Sequence, residues 1–100
     1  MTELYAVIFR NEARRELEEA YQWYEEKRQG LGSELLLVVD AAVERIRRAP
    51  DIGPIVYRNV RRVLTRRFPY GIFYVVNPGR ITVIAVFHGR RDPKILVTRQ

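Results

Sequence analysis

The chain has 100 residues, 47% of them apolar, and its 18 Lys and Arg against 12 Asp and Glu leave a net charge of +6; this is enough for one hydrophobic core and one domain, residues 1–100. With no cysteine and a single histidine, His88, a disulfide framework, a thiolate nucleophile and a Cys-based zinc site are excluded, and neither metal nor cofactor is expected. No apolar run approaches the roughly 20 residues of a membrane span, and the opening MTELYAVIFRNEARRE turns acidic where a signal peptide would carry its cleavage region, which predicts a soluble, cytoplasmic protein without a membrane partner.

Leu4 to Phe9 is a short β-branched and aromatic run that predicts a first strand, with Asn11 as the N-cap of a helix. Ala13, Leu17, Ala20 and Tyr24 then fall within about 60° of one another on a helical wheel, flanked by Tyr21 and Trp23. Gly30 and Gly32 end that helix and Ser33 caps a second, running to about Ala49 before Pro50 and Pro54. Leu35, Val39, Ala42, Ile46 and Ala49 form its core stripe. Leu36, Leu37, Val38 and Val43 make it apolar beyond one face, which fits either a helix sandwiched between the first helix and a sheet or a surface awaiting a partner.

After Pro54 the period becomes two. Val60–Phe68, Ile72–Val76 and Ile81–Phe87 read as three strands of an antiparallel meander, with Asn77-Pro78-Gly79-Arg80 and Pro69-Tyr70-Gly71 as its turns. The order β-α-α-β-β-β predicts an α+β domain in which a helical hairpin packs on a twisted, mainly antiparallel sheet.

The charge is unevenly divided: residues 1–54 carry 8 basic and 11 acidic side chains, residues 55–100 carry 10 and 1, so that net −3 on the helices faces net +9 on the strands. Arg61, Arg62, Arg66 and Arg67 all fall on the predicted strand Val60–Phe68, Arg61 and Arg67 facing one way and Arg62 and Arg66 the other. Sixteen Arg against two Lys favours bidentate capture of phosphate or carboxylate over mere solubility. Downstream, Phe87-His88-Gly89-Arg90-Arg91-Asp92-Pro93 places the lone His beside two Arg, so that acid–base work by His88 with charge stabilisation by Arg90 is chemically conceivable; a strand-terminal His with an Arg91–Asp92 pair that orders the tail is the structural alternative. Tyr70 and Tyr74 fit either base stacking or core packing.

The element order, Arg48-Ala49-Pro50 before Gly53, the segment from Val63 to Tyr74 and the closing Val86-Phe87-His88-Gly89-Arg90-Arg91-Asp92-Pro93 together resemble the ParE/RelE toxin superfamily of type II toxin–antitoxin systems, over nearly the whole chain. The resemblance implies a small basic toxin neutralised by an acidic antitoxin that wraps the hairpin and the sheet. RelE-like members cut mRNA on the ribosome with sheet-borne basic residues, a strand Arg and a C-terminal Tyr; by motif those last two positions fall here on Gly71 and Leu96, while Arg90 matches a retained basic residue. The sequence therefore looks closer to the ParE branch, whose members bind DNA gyrase and trap it on DNA. Under that reading Arg61, Arg62, Arg66, Arg67, Arg90 and Arg91 contact target or antitoxin, and Leu36, Leu37 and Val43 form an apolar antitoxin groove. The alternatives are a RelE-like ribosome-dependent endoribonuclease, for which His88, Arg90 and Arg67 are the catalytic candidates, and a degenerate binding module.

Overall fold

In the computed structural model, which describes residues 5–99, the hairpin and the strands form as their periodicities require. Strand β1 is Ala6–Phe9, helix α1 Asn11–Lys27, helix α2 Leu31–Arg48, and strands β2 to β5 are Ile55–Tyr57, Val60–Leu64, Tyr70–Asn77 and Arg80–His88, followed by a 3₁₀ helix, Pro93–Thr98. Leu4, the predicted start of β1, lies outside the described residues. The sheet order is β1-β5-β4-β3-β2, with β1 parallel to β5 and every other pair antiparallel. The α+β architecture is as expected. One strand escaped sequence reasoning: β2 has three residues and follows Pro54, too short for a period to register.

Both predicted N-caps are displaced. The chain leaves β1 through an extended Arg10, whose N–H donates to the Val83 carbonyl at 2.9 Å, so Asn11 is already the first helical residue and caps nothing. At α2 the left-handed Gly30 (φ +89°) turns the chain directly into a helix beginning at Leu31, leaving Ser33 inside the first turn. Capping passes to Glu25 of α1, whose carboxylate accepts from the Gly30 and Gly32 N–H groups, both at 2.9 Å. The helices approach closely here because Gly32 lacks a side chain: a Cβ would stand 2.6 Å from the Tyr21 carbonyl oxygen.

The predicted helical stripes are the core, except for Ala49, which is the half-buried residue that ends α2. Ala13 and Ala20 of α1 and Leu35, Val39, Ala42 and Ile46 of α2 pack on Val63, Ile72, Tyr74, Ile81, Val83 and Val86, each fully buried aliphatic side chain contributing about 1.5–3 kcal/mol. Tyr74 is buried in this layer; its hydroxyl donates to the Pro50 carbonyl at 2.8 Å and accepts from the Gly53 N–H at 3.1 Å. That resolves Tyr74 as core, and half-buried Tyr70 stacks edge-on against Tyr24.

The opposite face of the sheet has a second core of Val60, Phe73, Ile84, Ala85 and Phe87, covered by Leu96 of the 3₁₀ helix. Asp92 orders that segment by accepting from the Lys94 N–H at 3.0 Å. Where the β4–β5 ladder shifts register beside Phe73 and Tyr74, Glu16 of α1 accepts from the Val86 N–H at 3.0 Å and pairs bidentately with Arg99 at 2.9 and 3.0 Å, while Arg99 also donates to the Ile84 carbonyl at 3.2 Å. A helix, the sheet and the tail are joined at that point.

Candidate binding site

The predicted strand Val60–Phe68 stops at Leu64, and this redistributes the arginines. Thr65 closes a loop: its N–H donates to the Tyr70 carbonyl at 2.9 Å and its hydroxyl to the Phe68 carbonyl at 2.9 Å. Phe68 turns inward against Tyr24, ring centroids 5.0 Å apart, and Pro69 cannot extend the ladder. Arg66 and Arg67 are consequently loop-tip residues, not alternating strand residues, and Arg67 occupies the left-handed region (φ +70°).

The six arginines proposed from sequence divide into three kinds. Arg61 donates to the carbonyls of Gly53 at 2.8 Å and Asp51 at 3.2 Å, locking the segment between α2 and β2. Arg62 lies on the opposite sheet face, with Nη1 on the Gly89 carbonyl at 2.9 Å and a buried Nε that has no acceptor among the described residues. Arg67 is partly neutralised: it pairs at 2.6 Å with Glu34, which also holds Arg28 at 2.9 Å. These two guanidinium groups, Arg67 first, hold the Glu34 carboxyl below its ordinary value of 4.5. Arg66, Arg90 and Arg91 are exposed and make no side-chain hydrogen bond or ion pair among the described residues; Arg91 lies over the Phe87 ring at 4.9 Å.

These free cations share one end of the sheet, since the Gly89 N–H donates to the Pro69 carbonyl at 2.8 Å and so joins the end of β5 to the β3–β4 loop. His88 is exposed between two depressions. One, of about 340 Å³, is lined by Arg62, Leu64, Thr65, Phe68, Pro69, His88, Gly89 and Arg90; the other, of about 480 Å³, runs between α1 and the strand ends and includes Glu19, Trp23, Tyr70, His88 and Arg91. The His88 Nδ1 accepts from the Arg90 N–H at 3.1 Å, so the neutral ring carries its proton on Nε2. No carboxylate hydrogen-bonds His88 among the described residues, so nothing orients it as a carboxylate orients a catalytic histidine.

The remaining predicted positions do not assemble. Leu36 lines a groove with Leu17 and Tyr21 of α1, Val43 packs against the helix–sheet core, and Leu37 projects into solvent with 68% exposure; three environments replace one apolar groove. The wheel sets only Leu37 apart, about 100° from Leu36 and opposite the core stripe, while Leu36 and Val43 lie about 20° from each other on one flank of α2. Gly71 leaves room for Arg62, whose Cγ and Cδ would both stand 3.2 Å from a Cβ there. Leu96 is buried. Sequence reasoning missed the Glu25 cap, the Glu34 bridge and the Glu16–Arg99 pair; partners 33 and 83 residues apart carry no local signal. No group of three or more His, Cys, Asp or Glu among the described residues is arranged to hold a metal, and no described helix is long and apolar enough to cross a membrane.

A helical hairpin on a mixed five-stranded sheet has solved counterparts among toxin–antitoxin proteins. A chain of the chromosomal ParDE system from P. aeruginosa superposes with a TM-score of 0.75 at 14% identity, covering 87% of this chain and 98% of that one. A chain of the RelBE2 toxin–antitoxin complex from Mycobacterium tuberculosis gives 0.62 at 23% identity, covering 86% and 99%. No curated protein sequence matches. The sequence model of the family described as the ParE toxin of type II toxin–antitoxin system, parDE, matches residues 7–93, and the chain belongs to that family: it is a toxin of the type II toxin–antitoxin class.

Proposed function

We propose that this toxin acts by binding DNA gyrase, halting replication without cleaving RNA, and that a cognate acidic antitoxin neutralises it. The observation that carries this reading is the fate of the two positions a RelE-like nuclease would use: Gly71 is a bare backbone packed beneath Arg62, and Leu96 is buried in the second core. Neither can present a polar group to a substrate. What remains at that end is positive charge, suited to steering and holding an acidic protein surface. Arg66, Arg90 and Arg91 are the contacts with most free donors; Arg67 joins them when Glu34 is displaced, and Arg61 serves the fold.

One observation favours RNA cleavage as the second reading. His88 is exposed next to Arg90 with Nε2 left as its only free ring nitrogen, and a single imidazole beside a guanidinium is a minimal proton-transfer site. Purified toxin is added to gyrase supercoiling reactions and, separately, to ribosomes programmed with a defined mRNA. Loss of supercoiling with intact mRNA supports the gyrase reading; mRNA cleavage that disappears in His88→Gln, with supercoiling unaffected, replaces it.

A further inference from the structure

We infer that the cleft between the β3–β4 loop and the end of β5 is a phosphate-binding site built by Arg62, His88 and Arg90. This inference depends on neither target reading. Three observations carry it. First, Arg62 is a half-buried cation short of acceptors: Nη1 has the Gly89 carbonyl, but the buried Nε–H has no partner among the described residues. Nε itself is closed off from solvent, so an anion in the cleft meets the guanidinium at Nη2, which has no hydrogen-bond partner among the described residues, and offsets the charge of a group short of acceptors. Second, the cleft contains no carboxylate; the residues around it supply three nitrogen-bearing side chains against apolar walls from Leu64, Phe68 and Pro69. Glu16 and Glu19 line the neighbouring groove on the other side of His88. Third, His88 is fixed as a donor, because the backbone N–H of Arg90 occupies its Nδ1 and leaves the proton on Nε2.

The donor set selects phosphate over carboxylate. A carboxylate is satisfied by one planar guanidinium fork. Here the donors come from the middle of β3, the last residue of β5 and the turn beyond it, and so approach from different directions, as the oxygens of a tetrahedral anion require. Gly71 is part of the design: any side chain there would collide with the Arg62 stem, so the bare strand lets a β3 arginine cross over β4.

The test is a titration of the full-length chain at low ionic strength with sodium phosphate, following the ring protons of His88, the single histidine, and binding heat. Saturable binding is expected, with the His88 ring resonances moving along the same saturation curve as the binding heat. Arg62→Gln is expected to weaken binding at least tenfold and Arg90→Ala several-fold; Arg80→Ala, at the far end of the sheet, leaves it unchanged. Circular dichroism verifies the fold of each variant, and Arg62→Lys, which keeps the charge but loses the fork, provides a second variant with intermediate binding. Competition identifies the source: displacement by a trinucleotide without terminal phosphates marks a phosphodiester site, and displacement only by a 5′-mononucleotide marks a terminal phosphate. Non-saturable binding, unmoved His88 ring resonances, or equal losses in Arg62→Gln and Arg80→Ala overturns the inference.

Discussion

Replacing Glu16 by alanine tests whether the tail is held by the ion pair that closes the second core. Glu16 and Arg99 are only 17% and 16% exposed and share two hydrogen bonds, and the same carboxylate accepts from the Val86 N–H. Removing one member of a fully buried pair costs about 3–5 kcal/mol, which falls to about 1 kcal/mol here because the pair touches solvent and Arg99 keeps the Ile84 carbonyl. The orphaned Val86 N–H adds about 1–3 kcal/mol. Together these give a loss of about 2–4 kcal/mol for Glu16→Ala. Glu16→Gln keeps an acceptor for Val86 and loses only the charge, so about 1–2 kcal/mol is expected. With an m-value of about 1–1.5 kcal/mol/M in urea for a domain of this size, the alanine variant's midpoint falls by about 2 M and the glutamine variant's by about 1 M. A double-mutant cycle with Arg99→Ala should show coupling above about 1 kcal/mol, and amide exchange in residues 93–98 should accelerate before the rest of the sheet opens. Glu16→Ala and Glu16→Gln variants that both unfold within about 0.5 kcal/mol of the parent would refute the reasoning.

Three further outcomes are expected. The Glu34 carboxyl is held below 4.5 by Arg67 and then Arg28, so the tether between α2 and the β3–β4 loop is complete above that value and is lost as pH falls through the lower, folded-state value; the carboxyl carbon shift of Glu34 reports this, and Arg67→Ala should move its midpoint back up. Burial raises the Tyr74 phenol, and likewise Tyr70, above 10.0; the unfolded chain therefore ionises first and stability declines as pH rises beyond 10, an effect that Tyr74→Phe should reduce while costing about 1–3 kcal/mol at neutral pH through the unpaired Pro50 and Gly53 groups, measurable by urea unfolding at pH 7 and pH 11. Combined replacement of Arg66, Arg90 and Arg91 by alanine should weaken binding of the acidic antitoxin and flatten its salt dependence without altering the melting temperature, whereas Arg61→Ala should lower the melting temperature with little change in the salt slope.

The fold was largely legible because its main elements carry their own periods. The stripe of Ala13, Leu17, Ala20 and Tyr24 and that of Leu35, Val39, Ala42 and Ile46 became the helix face of the core, and the Pro78-Gly79 turn closes β4 onto β5 with Gly79 at φ +71°. Caps were less legible. Asn11 and Ser33 have the right chemistry one to three positions from where it would act, and the group that caps α2 is Glu25 from the preceding helix. The candidate site was legible as composition and not as arrangement. Alternation placed Arg66 and Arg67 on opposite faces of a strand, but burial of Phe68 against Tyr24 turned the chain before either was reached.

By itself the sequence determined that the positive charge belongs to the strand half and the negative charge to the helices, because that division follows from residue order and survives any folding. Only the tertiary structure decided which of those charges are available. Arg61 and Arg62 donate to backbone carbonyls 8 and 27 residues away, Arg67 shares Glu34 with Arg28, and Arg99 is taken by Glu16 from the other end of the chain. A guanidinium satisfies its donors with whatever acceptors folding brings within about 3 Å, and those partners are set by the packing of distant segments.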